Sequence, residues 1–139
     1  MLINKENIQT YLPQRPPFVM IDELINATET SFESAFEVVE SNLFIENGIL
    51  SESALVENVA QTCAAGFGYV GSQNGEEAGK LGFIGAVSRL KVTGLPKTGA
   101  KLATKIEILN TFDAIHLIQG TVYENDAELL TCQMKIVIA

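Results

Sequence analysis

The chain has no tryptophan, one histidine, two cysteines, and only 9 lysines and arginines against 17 aspartates and glutamates. Each scarcity excludes something. At a formal charge of −8 it lacks the clustered cations that nucleic acid or an anionic membrane requires of a partner. Cys63 and Cys132 lie far apart between apolar neighbours. Without metal-ligand spacing they read as free, buried thiols of a reducing compartment. The single histidine, His116, leaves no His/Cys cluster for a metal. Neither a glycine-rich phosphate loop nor a Gly-x-Ser-x-Gly elbow occurs. No apolar run reaches the ~18 residues of a membrane span, and no basic-then-apolar leader opens the chain. The expected location is the cytoplasm.

Apolar residues are plentiful, at 47% of 139. That suffices for one domain with its own core, expected over residues 1–139, and is too little for two ordinary domains. The most informative stretch is Ser51 to Tyr69, which reads as one long helix. Leu55, Val56, Val59, Ala60, Cys63, Ala64 and Phe67 recur near helical spacing. Ser51 or Ser53 is expected to cap its start, and Glu52 suits the positive end of the helix dipole. Small residues (Ala54, Ala60, Ala64, Ala65, Gly66, Gly68) allow close approach of a neighbouring surface. Glu57, Asn58, Gln61 and Thr62 form a polar stripe about 140° wide. Two readings of that stripe stand. It is either the solvent strip of an amphipathic helix, or the setting for a carboxylate beside an apolar tunnel, where burial suits acid–base work.

The rest is strand-like. Asn7 to Leu12 reads as a short helix stopped by Pro13, and Pro13 to Pro17 as a stiff connector. Phe18 to Leu24 reads as a strand or its approach. Ser31 to Val39 alternates, with Phe32, Ser34, Phe36 and Val38 on one face. Glu40 to Leu50 is expected as a loop, and so is the glycine-rich Gly71 to Gly79. Four strands follow: Leu81 to Thr93, with a bulge plausible at Gly82 or Gly85; Ala100 to Leu109; Ala114 to Tyr123; and Leu129 to Ile138. A turn at Pro96 to Gly99 and a hairpin connection at Glu124 to Ala127 separate them. Consecutive strands are expected to pair antiparallel under the helix, leaving an edge that dimerisation could cover. His116, between Ile115 and Leu117, reads as a structural or surface histidine.

Several motifs occur in register with a known family. Leu12-Pro13-Gln14-Arg15-Pro16-Pro17-Phe18 followed by Ile21-Asp22 resembles the Leu-Pro-His-Arg-x-Pro-Phe…Asp opening of the 3-hydroxyacyl-carrier-protein dehydratases. Glu57 and Gln61 resemble their Glu-x-x-x-Gln on the central helix. Phe83-Ile84-Gly85 resembles their Phe-Ala-Gly, and Pro96 to Leu102 their Pro-Val-x-Pro-Gly-Asp-x-Leu turn. The Phe44 to Thr62 pattern looks closest to the branch associated with aryl polyene or related pigment lipids. The resemblance implies an α+β hotdog fold, an antiparallel sheet wrapped around one long helix. It also implies a homodimer or higher oligomer, or an assembly with another hotdog subunit, acting on thioesters of an acyl carrier protein or coenzyme A without cofactor or metal. Any acidic carrier would meet a local basic patch around Arg15, Arg89, Lys91 and Lys97.

The resemblance makes Glu57 the acid–base residue, with Gln14 and Gln61 beside it. Leu43, Phe44, Ile49, Leu50, Ser53, Phe83, Ile84 and Gly85 become candidates for the substrate wall. The departures are chemical. Leu43 and Gln14 stand where the family has histidines, and Ser51-Glu52 where it has the Pro-Gly whose N–H groups polarise the thioester carbonyl. A helix N-terminus still offers free N–H groups there. Dehydration needs a base for the α-proton and an acid for the departing hydroxyl, and Gln14 exchanges no protons at neutral pH. Three functions remain open: a dehydratase relying on Glu57, a thioesterase in which Glu57 activates water, and a non-catalytic acyl-binding or structural subunit paired with a complete hotdog partner. The bland alternative is a hotdog domain in which Glu57 is a satisfied helix carboxylate with no role.

Overall fold

The structure is a computed structural model that describes residues 1–75 and 82–138. A 3-10 turn at Ile8–Tyr11 precedes β1 (Glu23–Ala27) and β2 (Ser31–Glu37). Next come two short strands, β3 (Ile45–Glu46) and β4 (Ile49–Leu50), and the long helix α1 (Glu52–Gln73). Four strands close the chain: β5 (Gly82–Val92), β6 (Lys101–Phe112), β7 (Ile115–Glu124) and β8 (Ala127–Ile138). The main sheet runs β1-β2-β6-β7-β8-β5, antiparallel throughout, and α1 packs against it. Among the described residues, no helix is long and apolar enough to cross a membrane.

The expected alternation in β2 holds: Phe32, Ser34 and Phe36 are buried toward the helix. Across the sheet Leu102, Ile106, Ile118, Val122, Leu130, Cys132, Met134 and Ile136 complete the core, meeting Ala54, Leu55, Val59, Cys63 and Ala65 of α1. Two glycines permit the close contact. A Cβ on Gly66 would land on the Phe32 ring, and one on Gly120 on a methyl of Val59. Both cysteines are free and buried, as the sequence implied. Burial raises both thiols, Cys132 to about 11.

Several expectations need correction. Consecutive strands do not all pair: β5 pairs with β8 at the sheet edge, while β6 crosses to pair with β2. The crossover is held by backbone bonds from Leu50 N–H to the Pro96 carbonyl (2.9 Å) and from Gly99 N–H to that of Val38 (2.7 Å). The expected loop from Glu40 to Leu50 contains the β3–β4 hairpin, turned by Asn47 and Gly48 at φ 53° and 74°. Asn-Gly supplies the two positive φ values such a turn needs. The helix runs past Tyr69 to Gln73, so the expected loop begins later, and residues 76–79 lie outside the described ones. Leu81 does too. The bulge expected in β5 is at Gly85, between Ile84 and Ala86, and a second register shift lies between Ser88 and Lys91. Ser51 occupies the N-cap position, but its hydroxyl pairs with that of Ser53 at 3.0 Å and caps nothing. Phe18 to Asp22 is not strand. Its backbone groups bond to helix side chains instead, as the next section describes.

Candidate active site

The polar stripe of α1 is not a solvent strip. Asn58, Gln61 and Thr62 are 1%, 0% and 0% exposed. Asn58 and Gln61 bind the segment after the proline connector, residues 18–20, which crosses the helix as a strap. Met20 N–H donates to Gln61 Oε1 at 2.6 Å, Gln61 Nε2 to the Phe18 carbonyl at 2.9 Å, and Asn58 Nδ2 to the Met20 carbonyl at 2.7 Å. Thr104 donates to Asn58 Oδ1, Thr62 Oγ1 to the Asn58 carbonyl (2.8 Å), and Ser34 and Thr62 share a bond of 2.7 Å. Every one of these buried groups is thereby satisfied, which is the condition for burying them at all.

Glu57 sits at the margin of this network, half-buried. Gln61 gives it a hydrogen bond from Nε2 to Oε1 at 3.0 Å. Since the same Nε2 also serves the Phe18 carbonyl, the strap fixes Gln61 and Gln61 fixes one oxygen of Glu57. Its carboxylate lines a cavity of about 270 Å³ with Pro13, Gln14, Ala60, Ala64, Gly82, Ile84, Ile136 and Ile138. Gln14 Oε1 is buried there with no hydrogen-bond partner among the described residues. A buried acceptor left open costs about 1–3 kcal/mol, so this cavity is set up to receive a donor. Among the described residues, Glu57 is the one ionisable side chain lining it.

The structure thus brings Glu57, Gln14, Gln61 and Ile84 together. It does not gather the other candidates around them. Leu43, 49% exposed, lines a different cavity with Val19, Ile21, Phe36 and Val39. Phe44 packs on the core, and its carbonyl accepts from Ser51 N–H at 3.1 Å. Ile49 is partly exposed and bridges to Lys97, while Leu50 is wholly buried in the core. Ser53 is exposed beside Ser51. Gly85 forms the β5 bulge, and the Phe83 side chain lies outside the described residues. Arg15 is exposed and is anchored through one nitrogen. Its Nη1 is held by the carbonyls of Gln9, Leu12 and Gln14 at 3.1, 2.8 and 2.7 Å, clasping the proline connector.

His116 is neither a core nor a plain surface residue. On β7 it shares the inward face with Ile118 and Gly120, so its ring meets Phe67 of α1 at 4.4 Å between centroids. Nδ1 bonds Thr111 Oγ1 at 3.0 Å, and burial lowers its pKa. It lines a separate cavity of about 420 Å³ at the C-terminal end of α1. Phe67 is ten residues on from Glu57, roughly 15 Å along the axis.

The sequence model of a family described as ApeP-like, ApeP dehydratase, matches residues 6–138. The chain belongs to the ApeP-like dehydratase family. Relatives across the wider dehydratases agree with membership. The 3-hydroxyacyl-acyl-carrier-protein dehydratase FabZ of Wolinella succinogenes is 24% identical, covering 100% of this chain and 97% of its own. FabZ of Oceanobacillus iheyensis is 26% identical, covering 99% of each. Among solved structures, the dehydratase heterocomplex ApeI:P from Xenorhabdus doucetiae matches with a TM-score of 0.87 at 18% identity, over 95% of this chain and 90% of that one. A hypothetical thioesterase of Streptococcus pneumoniae with coenzyme A matches with a TM-score of 0.66 at 12% identity, over 84% of each. These structural likenesses show the fold: the ApeP-like chain is an α+β hotdog domain.

Proposed function

We propose that this chain binds a 3-hydroxyacyl thioester, presented by an acyl carrier protein or coenzyme A, in the Glu57 cavity and takes part in its dehydration. The observation that carries the reading is the shared cavity of Glu57 and the unpartnered Gln14 Oε1, walled by alanine and isoleucine. Apolar walls suit an acyl chain, and the open acceptor suits the 3-hydroxyl as donor. Glu57, oriented by Gln61, is the acid–base group. Elimination removes the α-proton and expels the β-hydroxyl as water, leaving a conjugated double bond. Fatty-acid or polyene-lipid synthesis is the setting in which such a product is used.

A second reading follows from the shortage of ionisable groups. The cavity supplies one where the elimination calls for two, so the other comes from a second hotdog chain, or this chain serves as an acyl-binding partner to one. Strand β5 beside the cavity is a sheet edge, with Ile84, Val87, Leu90 and Val92 each 37–44% exposed. Such an edge suits docking of another chain, whether a copy or a different hotdog subunit. That a neighbour in fold is described as a heterocomplex supports the arrangement.

The test is to purify the chain alone and with its native co-purifying partner, and to follow enoyl product and free thiol from a 3-hydroxyacyl thioester. Enoyl formation falling about 10²- to 10⁴-fold with Glu57→Ala is the expected result. Thiol release in place of enoyl product would indicate hydrolysis. Unchanged turnover with Glu57→Ala would leave an acyl-binding or structural subunit.

A further inference from the structure

The residues of α1 lining the Glu57 cavity are Glu57, Ala60 and Ala64, and those lining the His116 cavity include Phe67, Gly71 and Asn74. Their spacing, alternately three and four residues, places all six on one continuous face of the helix. Ile138 of β8 lines both cavities. Glu57, Ala60, Ala64 and Phe67 are all half-buried, while Leu55, Asn58, Val59, Thr62 and Gly66 on the opposite face are buried. The two cavities lie in succession along this face of α1, a span of about 25 Å at 1.5 Å per residue. Two alanines keep its near half open. Phe67 is the first bulky residue on the line, held edge-on to Phe32 at 5.0 Å and tilted against His116 at 4.4 Å.

The two ends differ in chemistry. A plain alkyl terminus needs apolar walls only, yet the far chamber has an aromatic floor and hydrogen-bonding groups at its rim. Thr111 occupies Nδ1 of His116, which leaves Nε2 as the ring's other hydrogen-bonding atom. We propose that the far chamber receives the distal end of the bound acyl chain, and that His116 recognises a hydroxyl or similar hydrogen-bonding group carried on that end. His116 is then a specificity residue, remote from the reacting carbons. The inference rests on the acyl reading of the Glu57 cavity.

His116 is the sole histidine, so protein labelled with ¹³C-histidine gives one imidazole signal to follow. The probes are N-acetylcysteamine thioesters of 3-hydroxy acids, in short and long chains, the long ones with and without a terminal hydroxyl. Long terminal-hydroxy chains should shift the signal and bind about three- to tenfold tighter than their alkyl counterparts, the range of one neutral hydrogen bond. Short chains should bind without moving it. The preference should disappear in His116→Phe, and Ala64→Phe should block long chains while short ones still bind. Binding of the long hydroxylated chain with an unmoved histidine signal would overturn the inference and leave the acyl reading intact. If no thioester of any length binds, both fall.

Discussion

Gln61 joins strap to carboxylate, and replacing it separates the two roles. In Gln61→Leu the Met20 N–H loses its partner where water does not reach, and the part-buried Phe18 carbonyl loses one as well. At about 1–3 kcal/mol for each stranded group, and allowing some relaxation of the strap, the loss is about 3 kcal/mol. With about 2 cal/mol/K of unfolding entropy per residue over 139 residues, each kcal/mol lowers Tm by about 3.5 °C, so a fall of about 10 °C is expected. Asn58→Ala strands the Met20 carbonyl and the Thr104 hydroxyl, and should fall by a similar amount. The two variants part company in activity. Of the two side chains, Gln61 is the one hydrogen-bonded to Glu57, so Gln61→Leu should lose a further 10- to 100-fold in kcat/KM and alter the pH–rate profile. Asn58→Ala should keep the wild-type profile below its lowered Tm. Calorimetry and enoyl-product assays on the active assembly measure both. Equal activity losses in the two variants would refute the claim that Gln61 positions Glu57, and a Tm drop under about 3 °C in both would refute the strap energetics.

Other consequences are simpler to check. Gly66→Ala drives a methyl into the Phe32 ring, and overpacking of about 1–3 kcal/mol should lower Tm by about 4–10 °C by calorimetry. Asp22 accepts a bond from Glu37 N–H at 2.8 Å, yet burial raises its pKa above 3.8. The native state then holds the proton more tightly than the unfolded chain, so stability falls as pH rises from 3.8 through the native value. Asp22→Asn should remove that slope in urea titrations across the acid range. His116 works in the opposite sense. Its native pKa lies below 6.5, so its contribution is full above 6.5 and declines as pH falls from there through the native value. A histidine NMR titration should give a midpoint under 6.5, and His116→Phe should flatten the corresponding part of the stability curve.

Local pattern was enough to read much of this molecule. The long helix is legible because apolar residues recur at its period, and β2, β6, β7 and β8 because they alternate or run apolar between turn residues. The β3–β4 hairpin is equally legible in Asn47-Gly48 between Ile45-Glu46 and Ile49-Leu50. Glu57 could be singled out as a carboxylate on a mostly apolar helix, and its partnership with Gln61 follows from one turn of separation.

Other features depend on which segments meet. Helical spacing puts Asn58, Gln61 and Thr62 on one stripe, but whether water or the chain's own backbone satisfies them depends on where residues 18–20 cross. The pairing of β6 with β2 is of the same kind, since strand pattern says nothing about which neighbour a strand takes. So is the placing of Gln14 beside Glu57, forty-three residues away, and of His116 against Phe67. The amino-acid sequence by itself determined the elements, their buried faces and the chemical groups available, because periodicity and residue type act over a few neighbours. Only the tertiary structure decided which polar groups are spent on the fold and which face a cavity, because hydrogen-bond satisfaction is settled between segments far apart in the chain.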